Sequence, residues 1–487
     1  MDMPSFSSTS AVSRRELMTA AGGTAVGALT GGERMADRDL DEGLDADIAA
    51  RVRRTPLVDT HEHLVEESSR TDWKPGGMIT CDDWSVLFMH YIDSDLIVAG
   101  MPPADRAALT SPDLDTRRKW QMLEPWWPAV RNTGYGLAVR FAVEALYGIR
   151  DLNGTTVKLM EDRYRSTVKP GFYKRLLTTI AGIESCQVNS LEKPFMPTAQ
   201  PTLLMQDISL LSLHSPEQWR ANAEHANMRV SDLGDYHAVL DWWFATYGPY
   251  AVAVKTQAAY GRRLDFEDVP AEAAAPIFTR LVEGGQISPP ERKKLEDHLF
   301  WYGVRKATAM NLPVKLHTGY YAGHNGMPMD RVAANPSDVT EILRRAPDTT
   351  FVIMHIGYPF WQEMVAIAKH WHNAVIDMCW AWIIDPASSV RFLQTFLTTA
   401  PCNKVLTFGG DFIPVEPVVG HSMVARRCIA LALTGLVRDG WMSRPQAVDL
   451  VETLMRGNAR RIFRLADKAR LLENAPWLKQ EWPARTS

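Results

Sequence analysis

The chain has 487 residues, 46% of them apolar and 23% charged, a globular composition with material for a large core. Lys and Arg number 53 against 57 Asp and Glu, a net charge of −4, and no basic run stands out, so nucleic-acid binding has no electrostatic basis. Cys81, Cys186, Cys379, Cys402 and Cys428 are odd in number, scattered and never in a C-x-x-C pair, which argues against a disulfide framework and a zinc–thiolate knuckle.

At the N-terminus, Ser13-Arg14-Arg15-Glu16-Leu17-Met18 precedes a mildly apolar, Gly- and Ala-rich stretch from Thr19 to Gly32. Paired arginines before such a stretch resemble a twin-arginine export signal, which carries proteins already folded. The expectation is a periplasmic or extracellular protein whose residues 1–45 lie outside the fold; a plain basic tail would instead leave it in the cytoplasm. The stretch is too short and too rich in glycine to span a bilayer stably, and no other run is apolar enough, so no stable membrane insertion is expected.

A first strand is read at Pro56–Thr60, ending in His61-Glu62-His63. Thirteen histidines predict roughly 0.35 H-x-H triplets by chance, so the triplet alone is poor evidence of a site. Its context is better: residues two apart on a strand face the same side, so both imidazoles can aim at one point. His370-Trp371-His372 sits in a helical pattern, where residues two apart diverge, and reads as structural or solvent-facing.

From Leu64 to about Gly182 the chain is too long for a simple connection and carries helical patterns, so it reads as a largely helical insertion over the first strand's end. Within it, Trp126-Trp127-Pro128-Ala129-Val130-Arg131 brings bulky aromatics beside Arg131, as a lid for an organic anion would need. A helical packing segment with a surface arginine explains it equally well.

Seven more strands follow, near Ser185–Leu191, Thr202–Leu210, Tyr250–Lys255, Pro313–His317, Thr350–His355, Ala374–Met378 and Lys404–Phe408. Helical patterns at Glu296–Asn311, Ser337–Arg345, Trp361–His372 and Ser388–Thr399 alternate with the later ones. Eight such units make an α/β fold of the (β/α)₈ TIM-barrel kind, whose active sites lie at the C-terminal ends of the strands. Those ends carry Lys255 on the fourth strand, His317 on the fifth, His355 on the sixth and Asp411 just past the eighth; His324, Glu416 and His421 follow in nearby loops. A histidine at one strand end is ordinarily structural. The joint pattern with His61 and His63 is what points to a divalent metal site of one or two ions, with zinc first and manganese or iron as alternatives.

These residues carry a resemblance. Val58-Asp59-Thr60-His61-Glu62-His63-Leu64, Lys315-Leu316-His317-Thr318-Gly319, Val352-Ile353-Met354-His355-Ile356-Gly357-Tyr358-Pro359, Phe408-Gly409-Gly410-Asp411 and Arg456-Gly457-Asn458-Ala459-Arg460-Arg461-Ile462-Phe463 resemble the amidohydrolase superfamily in its amidohydrolase-related branch. That branch includes decarboxylases and domains fused to glutamine-synthetase-like proteins, with uronate isomerases more distant. The resemblance implies that His61, His63 and His317 bind the metal and that Asp411 touches it and takes a proton from the attacking water. His355 would bind a second metal or act as a general acid/base. Gly410 departs from the pattern, since relatives often carry serine there.

Lys255 has three readings: carboxylated to bridge two metals, an ammonium gripping a substrate carboxylate, or structural. Neighbouring Tyr260, Arg262 and Arg263 favour the second. Arg131 and His324 are further candidates for substrate binding. The function expected is hydrolysis of a C–N or C–O bond in a small, anionic organic molecule. Decarboxylation or isomerisation on the same site is the alternative, and a non-catalytic exported binding protein a distant third. A homo-oligomer is compatible with all of these.

Overall fold

The structure, a computed structural model, describes residues 42–479. The expected export signal at residues 1–45 lies almost entirely outside them.

Short, almost wholly buried, mostly apolar strands alternate with helices along the chain, the pattern of a parallel sheet covered on its outer face. The first strand is Leu57–Glu62 and the second Ile183–Val188; the third comes in two pieces, Leu204–Gln206 and Ile208–Ser209, on either side of Asp207. Val254–Thr256, Val314–Leu316, Phe351–Ile353, Ala374–Asp377 and Val405–Leu406 complete the set of eight. Every pairing is parallel and links strands consecutive in the chain. The order is that of a TIM barrel.

Two sheets are distinguished, meeting at the break in the third strand. Backbone hydrogen bonds cross both seams. At the break in the third strand, Val252 N donates to Gln206 O. Thr60 N donates to Phe408 O, His63 N to Phe412 O and Asp411 N to His61 O, which ties the chain after the eighth strand to the first. Helices Leu233–Tyr247, Pro289–Ala309, Met329–Arg345, Trp361–His370 and Pro386–Thr399 run between successive strands. The second of these begins seven residues before the expected Glu296, because Ser288 and Glu291 form a capping box ahead of the apolar pattern.

The segment between the first and second strands is helical, including Ile92–Val98, Thr116–Leu123, Gly134–Tyr147 and Val157–Thr167. One buried ion pair anchors it: Arg70 grips Glu416 with both terminal nitrogens, at 2.9 and 2.6 Å, and neither side chain is exposed. Glu416 is thereby taken up in packing rather than lining the mouth. His421 is likewise buried, against Phe408 and the Gly410 carbonyl.

Candidate metal centre

The first strand sets the site, because His61 and His63 point to the same side of one extended segment. His61 Nε2 lies 3.3 Å from His63 Nε2 and 3.2 Å from Asp411 Oδ1; His63 Nε2 is 3.3 Å from the same oxygen. Ligands about 2.0–2.1 Å from a tetrahedral zinc stand about 3.3–3.4 Å from one another. The three atoms thus have the spacing and the chemistry of a divalent-metal site. Among the described residues, His61, His63 and Asp411 form one group of convergent ligand atoms, and His355, Cys379 and Asp411 a second. Asp411 belongs to both.

Burial sets the protonation states. It drives His61 and His317 well below the usual imidazole range and His355 to about 4, so all three are neutral at physiological pH. Burial alone would raise Asp411, but the His61 imidazole beside it, with His63 and His355, holds its carboxyl well below the ordinary value. His63 Nδ1 lies 2.7 Å from Asn189 O and His355 Nδ1 2.9 Å from Cys379 O, contacts that fix each ring and leave Nε2 for the cluster.

His317 joins through His355: its Nδ1 is 3.0 Å from His355 Nε2, while its own Nε2 is 3.0 Å from Tyr320 O. It belongs to neither group of convergent donors. Lys255 reaches the centre, with Nζ 3.2 Å from His61 Nε2, and burial lowers its pKa to about 8. His324 and Arg131 are exposed, and no hydrogen bond or ion pair among the described residues ties either side chain to the centre. Arg262 pairs with Asp265, Glu296 and Asp297, and Arg263 with Asp338, so the expected anion-binding loop has both guanidiniums already satisfied by carboxylates.

A family model described as Amidohydrolase matches residues 207–465, just over half of the chain, including Lys255, His317, His355 and Asp411. The chain belongs to the amidohydrolase family. It is 23% identical over 232 residues to Protein fluG of Emericella nidulans, a match covering 45% of this chain and only about a quarter (26%) of that relative. Solved structures share the amidohydrolase fold. Uronate isomerase from Thermotoga maritima superposes with a TM-score of 0.69 at 13% identity, covering 87% of this chain and 98% of that one. Glucuronate isomerase from Caulobacter crescentus gives 0.68 at 16%, covering 89% and 95%. A Lactobacillus casei protein described as a metal-dependent hydrolase gives 0.61 at 16%, covering 88% and 99%.

The backbone of this amidohydrolase is strained where the side chains converge. Tyr91, His355, Trp380 and Asp411 all have positive φ, at 65°, 62°, 64° and 64°. Such conformations cost of order 1–3 kcal/mol each for residues other than glycine and cluster at functional sites. Beneath the cluster, Asp59 Oδ1 accepts from His61 N at 3.1 Å and Gly410 N at 3.2 Å, joining the two ligand-bearing segments. Lys315, wholly buried, bridges Thr60 O and Asp207 Oδ2, each at 2.7 Å.

Cys379, Tyr91 and Trp380 escaped sequence reasoning. Cys379 and Trp380 had a readable position, just past the seventh strand, where a barrel carries its site. Tyr91 comes from the helical segment, where nothing in its spacing marks it.

Proposed function

We propose that this amidohydrolase is a metal-dependent hydrolase cleaving a C–N or C–O bond in a small, anionic organic substrate. The observation that carries the reading is the convergence of two imidazoles and one carboxylate at 3.2–3.3 Å on the rim of the barrel. His61, His63, His317 and Asp411 would hold a divalent cation, zinc first, with manganese or iron as alternatives. A cation held there would supply a lowered pKa for water and polarisation of the oxygen on the carbon under attack.

The remaining work belongs to the chain. Asp411 Oδ1 faces His61 and His63, which leaves Oδ2 free to accept a proton from the attacking water and pass it to the leaving group. His355 Nε2, 4.0 Å from Asp411 Oδ2, can hold a proton near the same atoms or serve a second cation. Lys255, as an ammonium, attracts a substrate carboxylate; carboxylated, it would bridge two ions. Arg131 and His324, both exposed, are the further candidates for contact with substrate.

Isomerisation of a uronate is the second reading, favoured by near-complete alignment with two uronate isomerase folds. A panel of amides, lactones, aromatic carboxylates and uronates, offered to the zinc-loaded protein, separates the outcomes. Release of amine, ammonia or a hydroxy acid supports hydrolysis; CO₂ release or aldose–ketose interconversion replaces it with decarboxylation or isomerisation. Asp411→Asn should keep most bound metal and lose turnover by orders of magnitude. The twin-arginine reading is likewise a proposal: exchanging Arg14 and Arg15 for Lys should trap the protein in the cytoplasm, and normal export of that variant would end it.

A further inference from the structure

The geometry points to Tyr91 as a positioning residue: we infer that its hydroxyl, delivered by the helical segment between the first two strands, holds Asp411 in the backbone conformation that turns its carboxylate toward His61 and His63. Tyr91 O–H donates to the Asp411 carbonyl at 2.5 Å. On the other side of the same Cα, Asp411 N donates to His61 O at 2.8 Å. The two bonds restrain the torsions on either side of a residue whose φ of 64° an L-amino acid rarely adopts. With both in place the carboxylate direction is set by backbone rather than by rotamer choice alone.

The donor itself is built. Tyr91 also has positive φ, at 65°, and is almost fully buried. Its ring stacks on Trp380 at 4.5 Å and on Tyr135 at 5.3 Å, with Phe412 edge-on at 5.1 Å. Tyr135 is brought there by close approach: a Cβ on Gly134 would fall on the backbone of Ile383, so only glycine lets helix Gly134–Tyr147 press against the chain after Trp380. Next to Tyr91, His90 Nδ1 accepts from Ile413 N at 3.4 Å. Residues 90–91 thus clasp residues 411–413 at two points. A merely covering segment would require neither the strained phenol nor the glycine.

The inference rests on the reading that the cluster holds a cation. Its test loads the full chain with cobalt(II) and reads the visible absorption bands and the affinity by competition with a chelator. Tyr91→Phe should shift the bands and weaken binding about 10–100-fold, the range expected when a partner of a metal ligand is lost. In an Asp411→Ala background the same change should alter affinity less than twofold, because the residue it acts through is gone. Wild-type bands and affinity in Tyr91→Phe, or an undiminished loss in the Asp411→Ala background, would overturn the inference and leave the proposed function standing. A wild-type protein that binds no cobalt would end both. Should Tyr91→Phe not fold, 4-aminophenylalanine at position 91 retains the ring and a weaker donor; binding should fall severalfold, and unchanged binding overturns the inference.

Discussion

The carboxyl group of Glu62 occupies the space that any side chain at position 410 would need. A Cβ built on Gly410 would fall on Glu62 Oε1 and lie 2.7 Å from its Cδ, while Glu62 Oε2 accepts from Phe412 N at 2.6 Å. The residue between the two histidines of the first strand therefore supports the segment that carries Asp411, on condition that position 410 stays bare.

Gly410→Ala is accordingly expected to destabilise the fold by about 1–3 kcal/mol, the usual cost of overpacking, and to weaken metal binding. Gly410→Ala with Glu62→Ala should recover part of the loss in a double-mutant cycle read by urea denaturation. Simple additivity of the two changes would show that the residues do not compete for the space.

His317→Ala separates two roles for that histidine. As a ligand it should cost more than a hundredfold in metal affinity, beyond the about 10–100-fold of an outer-shell change. If it serves only to orient His355, which it meets at 3.0 Å, the metal should stay bound and only turnover should drop. We expect the first result, read by chelator competition.

Most of this architecture was legible along the chain because burial on a strand is local: short β-rich runs ending in His61, His317 and His355 mark strand and rim at once. The rest depends on contacts no local pattern encodes. Tyr91 meets Asp411 across 320 residues. Arg262 and Arg263 look free in sequence but find carboxylates on distant helices. Cys379 reads as a small apolar residue until its neighbour strand brings Asp411 beside it. The long helix before the fifth strand starts earlier than its apolar pattern does for a different reason: the Ser288–Glu291 cap is visible in the sequence but lies outside the apolar periodicity.

Asp377 should govern part of the pH dependence of stability. Thr60 Oγ1 lies 2.8 Å from both Asp377 Oδ2 and Phe408 O, and its single hydrogen cannot serve both acceptors. A proton on Asp377 resolves the conflict, and burial raises its pKa from 3.8 to about 7. Because the folded value lies above the unfolded one, this group's contribution is complete below pH ~4 and is lost as pH rises towards ~7, up to about 4 kcal/mol. Asp377→Asn supplies the donor permanently. Relative to wild type it should gain stability between pH 4 and pH 8 in urea titrations; a difference independent of pH would contradict this assignment.

Anomalous X-ray diffraction from zinc-loaded crystals, recorded on both sides of the zinc edge, tests the metal centre most directly. A peak bonded to His61 Nε2, His63 Nε2 and Asp411, absent from a His61→Ala/His63→Ala variant, is the result expected. A fully loaded protein whose only zinc peaks lie away from these three side chains would contradict it.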